Sequence, residues 1–303
     1  MSNSDSGSAG FFSRSVPAGC RPARDMLELP DGYRTAVYVT GPPTASAPGR
    51  LPVLYLHGIQ SHPGWFCGSA AALAGRGHLV VQPTRRGSGE NRDDRGHAAS
   101  ARQLLEDVAA AGGLALDRAG ANRLHLVGVS WGGKLAAAFT ADRRRAVDVA
   151  SLTLVAPGIA PQVDVSLRTK LAVALSVLLR PHKRFDIPLN DEELFTDNEE
   201  MRRYLREDAL RLHRATGRFL YVSRCLDRML RRTKRGGLAM PTTLLLARRD
   251  QIIDNAVTRE LLAHWTAGRV EVEEFDAAHT LEFEPDPEPF YRALCAAVER
   301  GEP

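Results

Sequence analysis

Short apolar runs with β-type composition recur along this chain, separated by polar or glycine-containing breaks: residues 51–56, 79–81, 124–129, 149–155 and 242–247. Residues 270–275 instead alternate, Val-Glu-Val-Glu-Glu-Phe, with the period of two that a strand imposes on its two faces. Between Pro157 and Met240 this strand pattern stops. Helical spacing takes over across residues 166–179, 191–212 and 216–232, which predicts a helical insertion between two strands of one sheet. The pattern therefore predicts an α/β fold: a core over residues 25–157 and 240–303, a mostly parallel central sheet flanked by helices, and an inserted helical cap over 158–239. Residues 1–24, rich in Ser, Gly and Pro, lack a charged segment followed by an apolar core. They read as a flexible leader rather than a signal peptide, and the expected location is the cytoplasm.

The run Leu124-His125-Leu126-Val127-Gly128-Val129 breaks at once into Ser130-Trp131-Gly132-Gly133 and then into helix formers from Lys134 to Thr140. A strand that turns this sharply into a helix leaves the central residue of Gly-x-Ser-x-Gly strained and exposed, and glycines on either side relieve collisions across the turn. Ser130 then stands at a helix N-terminus, where free N–H groups favour developing negative charge. Ser88, in Arg86-Gly87-Ser88-Gly89, has no such helix behind it; its glycines suit a tight turn.

A serine hydroxyl needs a base, and the base needs an orienting acid. Strand 242–247 runs into Arg248-Arg249-Asp250, and strand 270–275 leads to Asp276-Ala277-Ala278-His279, so Asp250 and His279 are the candidate acid and base at strand ends. Asp254 is the competing acid, but it lies beyond Ile252-Ile253, an apolar turn expected to pack back on the core. Upstream, strand 51–56 ends in His57-Gly58-Ile59-Gln60. His57 and His62 read as braces of that loop rather than as catalytic groups.

These motifs, with His62-Pro63-Gly64-Trp65 and His279-Thr280-Leu281-Glu282-Phe283-Glu284, resemble the α/β-hydrolase-fold serine hydrolases, and within them the monoacylglycerol lipase and lysophospholipase-like branch, over about residues 25–298. The resemblance implies a Ser130–His279–Asp250 triad. It also implies an oxyanion hole from the backbone N–H groups of Ile59 and Trp131. Trp131 stands where such lipases often carry a small residue or Met, so it is expected to narrow or reshape the acyl entrance. The implied reaction is hydrolysis of a lipophilic or medium-chain carboxylic ester through an acyl-enzyme. An acyltransferase, thioesterase or cyclase using the same triad on a carrier-bound chain stays open, with a non-catalytic ligand receptor as the remote alternative.

At 303 residues and 44% hydrophobic content, one enzyme-sized core is affordable without a second fold. The net charge of +4 is spread among intervening acids, and the two dense arginine clusters carry no interleaved aromatics, so nucleic acid is not an expected partner. The 4 cysteines lack metal-ligand spacing, which predicts free thiols, no metal and no cofactor. Within the cap, the apolar stretch 171–179 is too short to span a bilayer. Leu171, Leu175 and Leu178 are the expected apolar wall of an acyl pocket. The alternatives are packing on the body or a second subunit, and peripheral lipid contact through the cap. The oligomeric state is not legible.

Overall fold

The runs marked as strands form the centre of one twisted sheet. The computed structural model describes residues 11–41, 50–163 and 165–302. In chain order the elements are β1 (Ala23–Glu28), β2 (Arg34–Thr40), β3 (Val53–Leu56), α1 (Cys67–Gly75), β4 (Val80–Pro83), α2 (Ala101–Ala119), β5 (Arg123–Val129), α3 (Trp131–Ala141) and β6 (Asp148–Val155). The insertion carries α4 (Leu167–Leu179), β7 (Arg184–Asp186), α5 (Glu199–Glu207), β8 (Arg214–Thr216) and α6 (Gly217–Arg231). The core resumes with β9 (Thr242–Ala247), α7 (Asn255–Trp265), β10 (Val270–Phe275) and α8 (Glu288–Glu299).

The sheet has eight strands in the order β1-β2-β4-β3-β5-β6-β9-β10. β1, β2 and β4 pair antiparallel, and every pairing from β4 through β10 is parallel. This is the α/β-hydrolase fold. Parallel strands covered on both faces read as unbroken apolar runs, and β3 and β9 are buried at every position. β10 is an edge strand, and its sequence alternation is not matched by burial, since Glu271, Val272 and Glu273 are all exposed.

The insertion differs from the expected all-helical cap in one respect: β7 and β8 form a small antiparallel ribbon, with Phe185 opposite Ala215. α4 and α6 begin one residue inside the expected limits because Ser166 and Thr216 are their N-caps, each accepting a hydrogen bond from the amide three residues on. The region expected to be helical over 191–212 contains only a short turn at Glu192–Leu194 and α5.

The leader also needs correcting. Residues 1–10 lie outside the described residues, but from Phe11 onward the chain is docked on the body. Ser13 donates from its amide to the Gly64 carbonyl (2.9 Å) and from Oγ to the Trp65 carbonyl (2.9 Å). The Phe11 ring stacks on Tyr38 at 4.7 Å. Arg14 donates to the carbonyls of Glu282 and Glu284. Composition suggested a flexible leader, yet these contacts need only backbone groups and the side chains of Phe11, Ser13 and Arg14, which low-complexity flanks do not prevent. All four cysteines are unpaired. No helix among the described residues is long and apolar enough to cross a membrane.

Candidate active site

The site lies at the carboxyl ends of the parallel strands, where β3, β5, β9 and β10 each release a loop. Ser130 follows β5 directly and adopts φ 52° and ψ −122°, a conformation that costs a non-glycine residue about 1–3 kcal/mol. The surrounding backbone fixes it. Its amide donates to the Val155 carbonyl (2.9 Å), and its own carbonyl accepts from Gly133, Lys134 and Gly158. The turn needs its glycines, since a Cβ on Gly128 would stand 2.6 Å from the Gly132 carbonyl oxygen, and one on Gly132 would collide with that of Leu56.

His279 and Asp250 come to this serine from positions 149 and 120 residues away in sequence. His279 Nε2 is 2.9 Å from Ser130 Oγ, and His279 Nδ1 is 2.8 Å from Asp250 Oδ2. Both side chains are buried, at 2% and 0% exposure. Asp250 Oδ1 accepts from the amides of Ile252 (2.8 Å) and Ile253 (3.0 Å), so the apolar turn that follows the acid also orients it. Asp254 is elsewhere: its Oδ1 accepts from the Val257 amide and caps α7.

The loop after β3 lies against the serine. A Cβ on Gly58 would be 3.4 Å from Ser130 Cβ. The amides of Ile59 and Trp131 donate to no carbonyl among the described residues, and both residues share a cavity wall with Ser130. His57 and His62 brace as expected. His57 Nε2 accepts from the Arg85 amide (3.0 Å), and burial pushes its pKa well below the ordinary histidine value. His62 Nδ1 accepts from the Gly64 amide, while its Nε2 meets Asp208 at 3.1 Å.

A cavity of about 460 Å³ opens over Ser130 beneath the cap. Its apolar wall includes Val163, Val173, Val177, Ile187 and Leu220. Leu171, Leu175 and Leu178, expected in that wall, are not there: they are 64%, 59% and 83% exposed. The reason is helical phase. Positions 169, 170, 173, 174 and 177 of α4 face the cavity, and the three leucines fall on the neighbouring stripe, which turns to solvent.

Sequence reasoning missed several residues at this site. The Trp131 indole donates to Ser223 Oγ (2.9 Å), and its ring lies 5.1 Å from that of Phe219, which ties the residue after the serine to α6. Lys134 Nζ meets Asp227 at 2.7 Å, both nearly buried, and burial draws the lysine pKa down. A lysine inside an otherwise apolar helix was the available signal. The residues whose types and spacing suit a metal, His78, His125 and Glu302, have ligand atoms within 4.8 Å of one another, but they lie at the opposite, amino-terminal edge of the sheet.

The family model described as serine aminopeptidase, S33, matches residues 48–286. No curated protein matches by sequence. Among solved structures, the monoacylglycerol lipase of Paleococcus ferrophilus superposes with a TM-score of 0.76 at 20% identity, covering 88% of this chain and 99% of that one. A soluble variant of the Saccharomyces cerevisiae monoglyceride lipase, in complex with a substrate analog, gives 0.81 at 14% identity, covering 96% and 99%. An esterase from Exiguobacterium antarcticum gives 0.66 at 17%, covering 91% and 100%. At these identities the likeness is one of fold. The family match spans most of the sequence and includes Ser130, Asp250 and His279, and the chain belongs to the serine aminopeptidase S33 family of α/β-hydrolase enzymes.

Proposed function

We propose that this enzyme hydrolyses a lipophilic or medium-chain carboxylic ester through an acyl-enzyme on Ser130. The observation that carries the reading is the unbroken Asp250–His279–Ser130 hydrogen-bond chain at the floor of a largely apolar cavity. Ser130 Oγ attacks the ester carbonyl as His279 Nε2 takes its proton. Asp250 holds the imidazole by Nδ1 and stabilises its cation. The tetrahedral oxyanion receives hydrogen bonds from the amides of Ile59 and Trp131, each worth about 3 kcal/mol to the transition state. His279 then returns the proton to the leaving alcohol. Water repeats the cycle with the same base and frees the carboxylic acid. The acyl chain lies along Val173, Val177, Ile187 and Leu220, which suits an apolar substrate.

The exposed leucines of α4, bordered by Arg168, Lys170, Arg180 and Lys183, support peripheral contact of the cap with a lipid surface from which such an ester is drawn. The unpaired cysteines support a cytoplasmic setting.

Titration with a fluorophosphonate, followed by a chain-length series of p-nitrophenyl esters, tests the reading. Stoichiometric labelling of Ser130 and turnover that rises with acyl length are expected. Ser130→Ala that stays folded and keeps near-normal turnover overturns it.

A further inference from the structure

Two adjacent arginines follow β4, and their surroundings are opposite. Arg86, 3% exposed, is paired with Asp107 (2.5 Å) and Asp31 (2.9 Å), as a buried guanidinium ordinarily is. Arg85, 9% exposed, has no carboxylate partner among the described residues. Its Nη2 donates to the Ile59 carbonyl at 2.7 Å, and its Nε and Nη1 are buried with no hydrogen-bond partner. The guanidinium instead rests 5.0 Å from the ring centre of Trp131 and 5.0 Å from that of Phe219. Burial lowers its pKa to about 9, which still leaves it charged at neutral pH.

A buried, unpaired charge is destabilising, so its location carries information. Arg85 holds the loop after β3 at two points: its backbone amide donates to His57 Nε2, and its side chain holds the carbonyl of Ile59. Between those two points lies Gly58, packed on Ser130. On its other side the guanidinium rests on the ring of Trp131, which like Ile59 lines the cavity beside Ser130. Its position is therefore behind both expected oxyanion donors. The charge has no carboxylate partner among the described residues, and an anion forms close by during acyl transfer.

We propose that Arg85 is a positioning residue for the acyl-transfer step: it fixes the Ile59 backbone against Ser130 and supplies a preorganised positive charge behind the oxyanion site, with the aromatic faces of Trp131 and Phe219 taking the place of a counter-ion. This rests on the acyl-enzyme reading above. A carboxylate in the same place would neutralise the charge in the ground state and remove the differential stabilisation that lowers a barrier. Aromatic faces stabilise a cation without neutralising it.

The test compares Arg85→Met, Arg85→Gln and Arg85→Lys in full-length protein, with melting temperature measured alongside. Arg85→Met is expected to lower kcat by about 10- to 100-fold with KM changed less than about threefold, and to weaken a trifluoromethyl ketone inhibitor by the same factor as kcat. Arg85→Lys, which keeps the charge, is expected to fall between Arg85→Met and the wild type. Should Arg85→Met fail to fold, Arg85→Gln, which keeps a donor for Ile59 and loses the charge, is expected to fall below Arg85→Lys. A folded Arg85→Met or Arg85→Gln with wild-type kcat and inhibitor affinity overturns the proposal. So does an Arg85→Lys no better than the uncharged variants. Fluorophosphonate titration of the wild type separates the two levels: an unlabelled Ser130 overturns the acyl-enzyme reading and this inference with it, whereas a labelled, active wild type beside unaltered variants overturns this inference alone.

Discussion

The two long helices of the cap, α6 and α4, roof the same cavity but are held in different ways. α6 buries Phe219, Val222, Leu226, Asp227 and Leu230 and is fastened to the elbow helix α3 by the Lys134–Asp227 pair and the Trp131–Ser223 hydrogen bond. α4 buries only Ser176 and turns five leucines, at 167, 171, 175, 178 and 179, to solvent. One wall is thus continuous with the catalytic body. The other is held mainly by α6 and meets the surroundings. Local opening follows the regions with fewest buried apolar contacts, so entry of substrate is expected on the α4 side.

The contrast has meaning only above a working serine, and the largest expected effect tests that. Asp250→Asn should lower turnover by about 10³- to 10⁴-fold, because the imidazole then loses its tautomer and its counter-charge. Asp254→Asn should leave turnover and stability nearly unchanged, since asparagine caps a helix as well as aspartate does. Steady-state rates of the two variants decide it, and the reverse ranking would move the acid to Asp254.

The fastening of α6 comes next. Lys134→Met leaves Asp227 buried without its main partner and should cost about 3–5 kcal/mol of stability. The double variant Lys134→Met/Asp227→Leu should recover most of it, as seen in chemical denaturation. If the single variant melts like the wild type, α6 is not fastened through this pair.

Selectivity should respond to one stripe of α4 and ignore the other. Val173→Ala with Val177→Ala should shift preference toward bulkier acyl groups, with kcat/KM ratios between long and short esters changing by about tenfold. Leu171→Ala, Leu175→Ala and Leu178→Ala should leave the ranking unchanged. The smallest effect belongs to those leucines on a membrane: replacing all three by serine should weaken co-sedimentation with vesicles of mixed zwitterionic and anionic lipid, with turnover of soluble short esters preserved. Equal co-sedimentation of both proteins would remove the lipid role from this stripe.

Much of the site could be read from the sequence because its parts carry local signatures. The elbow around Ser130 is contiguous, and Asp250 and His279 sit just beyond runs that only a strand satisfies. The face of α4 was not legible, because residues 171–179 are almost uniformly apolar and no polar stripe fixes the phase of the helix. The β7–β8 ribbon was hidden by length, since three residues per strand cannot display a period of two. Arg85 gave no sign of its own: beside Arg86 it reads as one more surface charge, and only the tertiary arrangement separates the paired arginine from the unpaired one.

The docking of the segment around Ser13 and Arg14 bears on the order in which the protein is built. Arg14 bonds to residues 268 and 270 positions further along, on the turn just after His279. On a ribosome that emits the chain from its front end, these partners emerge only after the whole cap and His279. Arg14 must therefore wait for them, although Ser13 can already meet Gly64 and Trp65. A chain halted before residue 282 leaves Arg14 without these two carbonyls, and a protease acting beside it should cut that polypeptide faster than one that includes residues 282–284.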